Sequence, residues 1–167
     1  DGYIVQYNEA NLPVKETYSS NGNVQTTNYE YDEENNLTKQ TVEAQGTKVV
    51  TEFDAQKRPV KIVESTAGSD ISTVVTNQFD DENGTLTQTI KNNPVLLKEG
   101  IAETESQYTI DQESGKTDAL LYRKTTGVDG KVSEFRQIAP DEIEEKRDGY
   151  VITTKWHENG KTSTVKD

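Results

Sequence analysis

The sequence predicts an all-β protein, an antiparallel meander of repeated β-hairpins curved into a barrel-like or open twisted sheet. Three observations carry this. A phrase of an aromatic residue followed by Asp or Asn recurs at Tyr7-Asn8, Tyr31-Asp32, Phe53-Asp54 and Phe79-Asp80, spaced by roughly two dozen residues, the length of one supersecondary unit. Apolar and polar residues alternate between these phrases. Val49, Thr51 and Phe53 share one face, as do Ile71, Thr73, Val75 and Phe79, and Tyr150, Ile152, Thr154 and Trp156, which is the period of half-buried strands. Asn21-Gly22, Asn83-Gly84, Asn159-Gly160, Asp129-Gly130 and Asp148-Gly149 supply the positive-φ residues of tight hairpin turns.

Within the repeat, Leu12-Pro13-Val14-Lys15 is echoed by Arg58-Pro59-Val60-Lys61, and Asn36-Leu37-Thr38-Lys39 by Thr85-Leu86-Thr87-Gln88. Proline lacks the ladder donor, so Pro13 and Pro59 mark where a strand leaves its turn. Short connections favour antiparallel neighbours, because parallel strands need long crossovers. Asn92 to Gly100 lacks the phrase and reads as a longer connection or an irregular strand, and the chain needs no helix. Pro140 to Arg147 fits a short helix by its Pro and charge order, but Ile143, Glu145 and Arg147 alternate, and strand is preferred. The whole, residues 1–167, reads as a single hairpin-repeat domain, with clear repeats over about 3–90 and degenerate ones over about 101–167.

A hydrophobic content of 30% lies well below the roughly 45–50% of ordinary globular chains, so the core must be thin. Low hydrophobicity with high charge also fits disorder, but a disordered chain would not keep the strand register. One unit alone buries too few side chains to offset its ordering entropy, so neighbouring units must stack to fold. The net charge of −12 makes nucleic acid and anionic lipid poor partners. No apolar run is long enough to span a bilayer as a helix. The absence of Cys removes disulfides and thiolate chemistry, and a chain that starts at Asp1 without any Met reads as a mature or trimmed product in which no signal or anchor segment is present, which leaves export open.

Tyr31-Asp32-Glu33-Glu34-Asn35-Asn36-Leu37-Thr38 resembles the tyrosine-aspartate repeat of bacterial RHS-type proteins, which reads Tyr-Asp, two variable residues, Gly-Arg, Leu-Thr. Asn35 stands at the Gly place and Asn36 at the Arg place. In the Phe53 unit Arg58 keeps the Arg, and Lys57 replaces the Gly. The chain is also similar to small secreted bacterial hairpin domains, some of which close into a porin-like barrel. The resemblance implies an extracellular, cell-surface or envelope setting in a bacterium, such as a secreted protein or lipoprotein, and a structural role for Tyr7, Tyr31, Asp32, Phe53, Asp54, Phe79 and Asp80. It implies no catalytic residues.

His157 is the lone histidine, so any Ser-His-Asp arrangement must use it, yet it directly precedes a turn and reads as an exposed flank. Among 30 acidic residues a glycosidase pair is not recognisable by spacing. Asp80, Asp81, Glu82 and Asn83 place oxygens close enough to suggest calcium, but the loop lacks the full calcium-loop pattern, and an Asp after an aromatic is a natural turn former. No other cofactor is indicated. Trp156 and Tyr150, with His157 beside them, are the candidate ligand-contacting residues, against a packing role for the same aromatics. The reading is a non-catalytic extracytoplasmic binding module whose partner is an envelope glycan or a protein. The alternatives are a structural spacer and, third, a carbohydrate-active enzyme.

Overall fold

A computed structural model describes residues 1–111 and 113–167. The strands are β1 (Gly2–Tyr7), β2 (Pro13–Ser20), β3 (Asn23–Tyr31), β4 (Leu37–Ala44), β5 (Thr47–Phe53), β6 (Pro59–Thr66), β7 (Thr73–Asp80), β8 (Thr85–Lys91), β9 (Ile101–Ile110), β10 (Thr117–Gly127), β11 (Val132–Ala139), β12 (Glu142–Arg147), β13 (Tyr150–His157) and β14 (Gly160–Lys166), with one short helix, α1 (Pro94–Lys98). The strands hydrogen-bond in sequence order from β1 to β14, and each registered pair is antiparallel. In that order β1 and β14 each have one neighbour, so the pairing is that of an open sheet and not of a barrel.

The chain forms two compact units, Asp1–Thr76 and Asn77–Asp167. In each, the extensive contacts between elements join consecutive strands, and the further one is α1 against β9. Among the described residues no second sheet packs on either unit. Burial is correspondingly shallow. Leu86, 7% exposed, is the one buried hydrophobic side chain among the described residues. Thr27, Asn77, Thr85, Ser106 and Thr154 are also buried, and several find partners on the next strand, as a buried polar group must. Gln88 Nε2 donates to Asn77 Oδ1 at 3.1 Å, Arg123 Nε donates to Ser106 Oγ at 3.3 Å, and Thr154 Oγ1 lies 3.0 Å from Ser163 Oγ.

Pro13 and Pro59 open β2 and β6 as expected, and the Pro140 segment forms strand β12. Two expectations need correction. Residues 94–98 are helical: Asn93 caps the turn through Oδ1, which accepts from the backbone N–H groups of Val95 and Leu96, and Pro94 sits where a missing N–H costs nothing. Ile71 lies outside β7, exposed in the connection before it. Between β4 and β5 the turn is Gln45-Gly46, with φ of 50° and 78°, a pair of left-handed residues that the Asn-Gly signal does not reveal.

Because Leu86 is the one buried hydrophobic side chain among the described residues, the apolar core around it is thin and truncation should cost at the low end of the core range. Leu86→Ala is expected to destabilise by about 2 kcal/mol, and Val165→Ala on the exposed strand β14 to change stability by less than about 0.5 kcal/mol, as read by denaturant melts.

Candidate functional site

The repeated phrase builds one loop several times. In β1–β2, β3–β4 and β5–β6 the register shifts at the aromatic residue, pairing Tyr7 with Pro13, Tyr31 with Leu37 and Phe53 with Pro59. The extra residue of each bulge is Val14, Thr38 or Val60, always on the second strand. The Asp or Asn after the aromatic then closes the loop with its own side chain. Asp32 Oδ1 accepts from the N–H of Glu34 at 3.0 Å and of Asn36 at 2.8 Å, and Asp54 Oδ1 accepts from Gln56 at 3.0 Å and Arg58 at 2.9 Å. Asn8 Oδ1 accepts from Leu12 at 2.9 Å.

The position after the two variable residues of each loop, the Gly place of the pattern, is left-handed, with φ of 60° at Asn11, 65° at Asn35 and 63° at Lys57. Asn tolerates that region and Lys does so at a cost. The residue after it completes the clamp: Arg58 Nε reaches Asp54 Oδ2 at 2.8 Å, and Asn36 Nδ2 reaches Asp32 Oδ2 at 3.1 Å. These bonds pull both carboxyls below the ordinary range. For Asp32 the leading cause is the backbone N–H of Asn36. For Asp54 partial burial pushes upward first, and the N–H and guanidinium of Arg58 outweigh it.

In the second unit Asp80 Oδ1 accepts from the Asn83 N–H at 3.0 Å and Oδ2 from Asn83 Nδ2 at 2.7 Å, which lowers the Asp80 carboxyl. Asp81 and Glu82 lie exposed in the same loop. Among the described residues no three His, Cys, Asp or Glu side chains gather as a metal site. Phe79 precedes this loop in β7 as the phrase requires.

Trp156 and Tyr150, 45% and 47% exposed, share a face of β13 but lie about 20 Å apart along it. His157 falls on the opposite face, its Nε2 3.2 Å from Thr162 Oγ1. These residues are not brought together.

A different cluster is. In unit 1 strand alternation and register place Tyr3, Tyr7, Tyr18, Tyr29, Tyr31 and Phe53, all of its aromatic residues, on one face. Glu16 stands among them, opposite Val5 on β1 and Thr27 on β3. Its nearest aromatic neighbours are Tyr3 and Tyr7 two places along β1, Tyr18 two places along β2, and Tyr29 on β3. Tyr3 pairs directly with Tyr18, and the two are 61% and 53% exposed. Partial burial, and then the Glu16 carboxylate, raise the phenols of Tyr3, Tyr29 and Tyr31 above their ordinary range. Tyr31 Oη donates to Pro13 O at 2.8 Å, tying one loop to the next. The sequence signal for this cluster is alternation, Tyr3-x-Val5-x-Tyr7 beside Glu16-x-Tyr18 and Tyr29-x-Tyr31. It is readable only once the register between strands is known.

The opposite face holds the charges. Glu30, Lys39, Glu52 and Lys61 stand in one row across β3 to β6, with ion pairs of 2.9 Å for Lys39–Glu30 and 3.6 Å for Lys61–Glu52. Lys48 meets Glu43 at 3.0 Å on the same face. No helix among the described residues is long and apolar enough to cross a membrane.

Residues 7–48 match the model of the RHS Repeat family. The match spans the loops closed by Asn8 and Asp32, so this segment is similar to a tyrosine-aspartate repeat, and repeats of this kind typically belong to secreted or cell-surface proteins. No curated protein matches the chain.

Two outcomes follow from the loops. Lys57→Gly should stabilise the protein by about 0.5–1 kcal/mol, since glycine takes the left-handed conformation without strain, as read by the denaturation midpoint. The carboxyls of Asp32, Asp54 and Asp80 are lower folded than unfolded, so their stabilisation is present above the unfolded value of about 4 and is lost as pH falls through the lowered folded value. Melting temperature should therefore drop steeply below about pH 4, and Asp32→Asn with Asp54→Asn should flatten that dependence.

Proposed function

We propose that the chain is a non-catalytic binding module of a bacterial secreted or surface protein, which holds an envelope glycan or a protein partner on the tyrosine face of its first unit. The observation that carries this reading is the segregation of side chains. Every aromatic of unit 1 lies on one face, with Tyr3 and Tyr18 more than half exposed, while its strand lysines lie on the other. Tyrosine joins apolar area to a polar tip at low entropic cost, which suits it to stacking against sugars or partner side chains. Gln25 and Gln40 add amides to the same face. The Asp-closed loops and bulges position this surface.

The test is a thermal melt of the whole chain with cell-wall and host glycan fragments and with candidate protein partners. A ligand of the folded state present at a hundredfold excess over its Kd should add about 2.7 kcal/mol of stability, and the paired substitution Tyr3→Ala with Tyr18→Ala should abolish the shift. A melt unmoved by every additive would favour a spacer role instead.

A further inference from the structure

We infer that the surface around Glu16 recognises a lysine side chain presented by a protein partner. This rests on the binding role proposed above and names the chemistry of its ligand. Charge in unit 1 is sorted by face. The strand lysines Lys15, Lys39, Lys48 and Lys61 all lie opposite the tyrosines, where Lys39, Lys48 and Lys61 meet Glu30, Glu43 and Glu52. The tyrosine face carries the carboxylates of Glu16 and Glu64 and no cation from the strands. The Glu16 carboxylate accepts from the phenols of Tyr3 and Tyr29, and a carboxylate set among aromatic residues is complementary to an ammonium group, which gains a charge partner beside ring surface.

The immediate surroundings favour lysine within that class. Val5 flanks Glu16 directly on β1 and is half-buried, so its methyl groups offer a surface along which methylenes can lie while the charged head meets the carboxylate. Neighbouring strands are about 4.8 Å apart and alternate residues about 7 Å, so the patch bounded by Tyr3, Tyr18 and Tyr29 accommodates one such side chain. A neutral sugar would stack on the rings but bring no charge to Glu16.

The experiment is an NMR titration of the whole chain with a capped tripeptide bearing a central lysine. Parallel titrations use norleucine and Nε-acetyl-lysine at the same place. The lysine peptide should bind about tenfold more tightly than either neutral analogue and shift the ring resonances of Tyr3, Tyr18 and Tyr29. Glu16→Gln should remove that advantage. Glu43→Gln, an equal loss of charge on the other face, should leave it unchanged. Tyr18→Leu, at an exposed position, provides a second variant whose binding should fall without unfolding. Equal binding of lysine and norleucine, or equal loss in Glu16→Gln and Glu43→Gln, overturns the inference. A glycan that binds these tyrosines when the lysine peptide does not also overturns it, and leaves the broader binding role standing. Failure of glycans, partners and peptides alike ends both.

Discussion

The structure depends on one constraint: within each unit a strand packs against the strands before and after it, with α1 on β9 the one further contact of any extent among the described residues. In a layered domain an inward side chain is covered from above by another sheet or helix. Here its neighbours are the residue opposite and those two places along, so cross-strand pairs are the unit of stabilisation. That accounts for the composition. Threonine and valine, which fit a pleated and half-covered surface, fill rows such as Val42–Val49 and Val50–Val63, while large aliphatic residues are scarce. It also accounts for the alternating row of Glu30, Lys39, Glu52 and Lys61, where long side chains cover the surface with their stems as well as pairing their charges.

The same constraint makes register the critical variable. With no opposing layer to select a face, a slip by one residue would exchange the tyrosine and charged faces at little packing cost. The loops prevent it. Each aspartate or asparagine after the aromatic fixes the span to the next strand through bonds to its own side chain, and each bulge sets the count of residues entering that strand. The hydroxyl of Tyr31 reaching the carbonyl of Pro13 locks two successive loops to each other. The phrase that repeats in the sequence is thus the part of the molecule that holds everything else in phase.

How much could be read from the sequence follows from which features are local. The strand content, the meander, the role of Pro13 and Pro59 and the turn chemistry of Asp32 and Asp54 were legible, because each depends on residues a few positions apart. Helix α1 was not, since a single turn capped by Asn93 has too few residues for a helical period. Gln45-Gly46 escaped because its first residue is an atypical one for a left-handed position. The Glu16 cluster escaped for a different reason. Its members come from β1, β2 and β3, and only the register across two turns, including the bulge between Gln6 and Tyr7, places them side by side. Trp156 and Tyr150 show the converse, sharing a face by alternation while standing too far apart along the strand to act on one small ligand.

A loop that closes on its own side chain also limits how far an error can spread. An added or lost residue between two phrases shifts the pairing of that stretch, and the next Asp-closed loop starts the count afresh. Neighbouring hairpins are therefore free to drift apart in sequence, one keeping Arg at a position where another has Asn, without disturbing each other's alignment. Such a chain can change in length by whole hairpins, and each addition would extend the aromatic surface and the charged one together without mixing them.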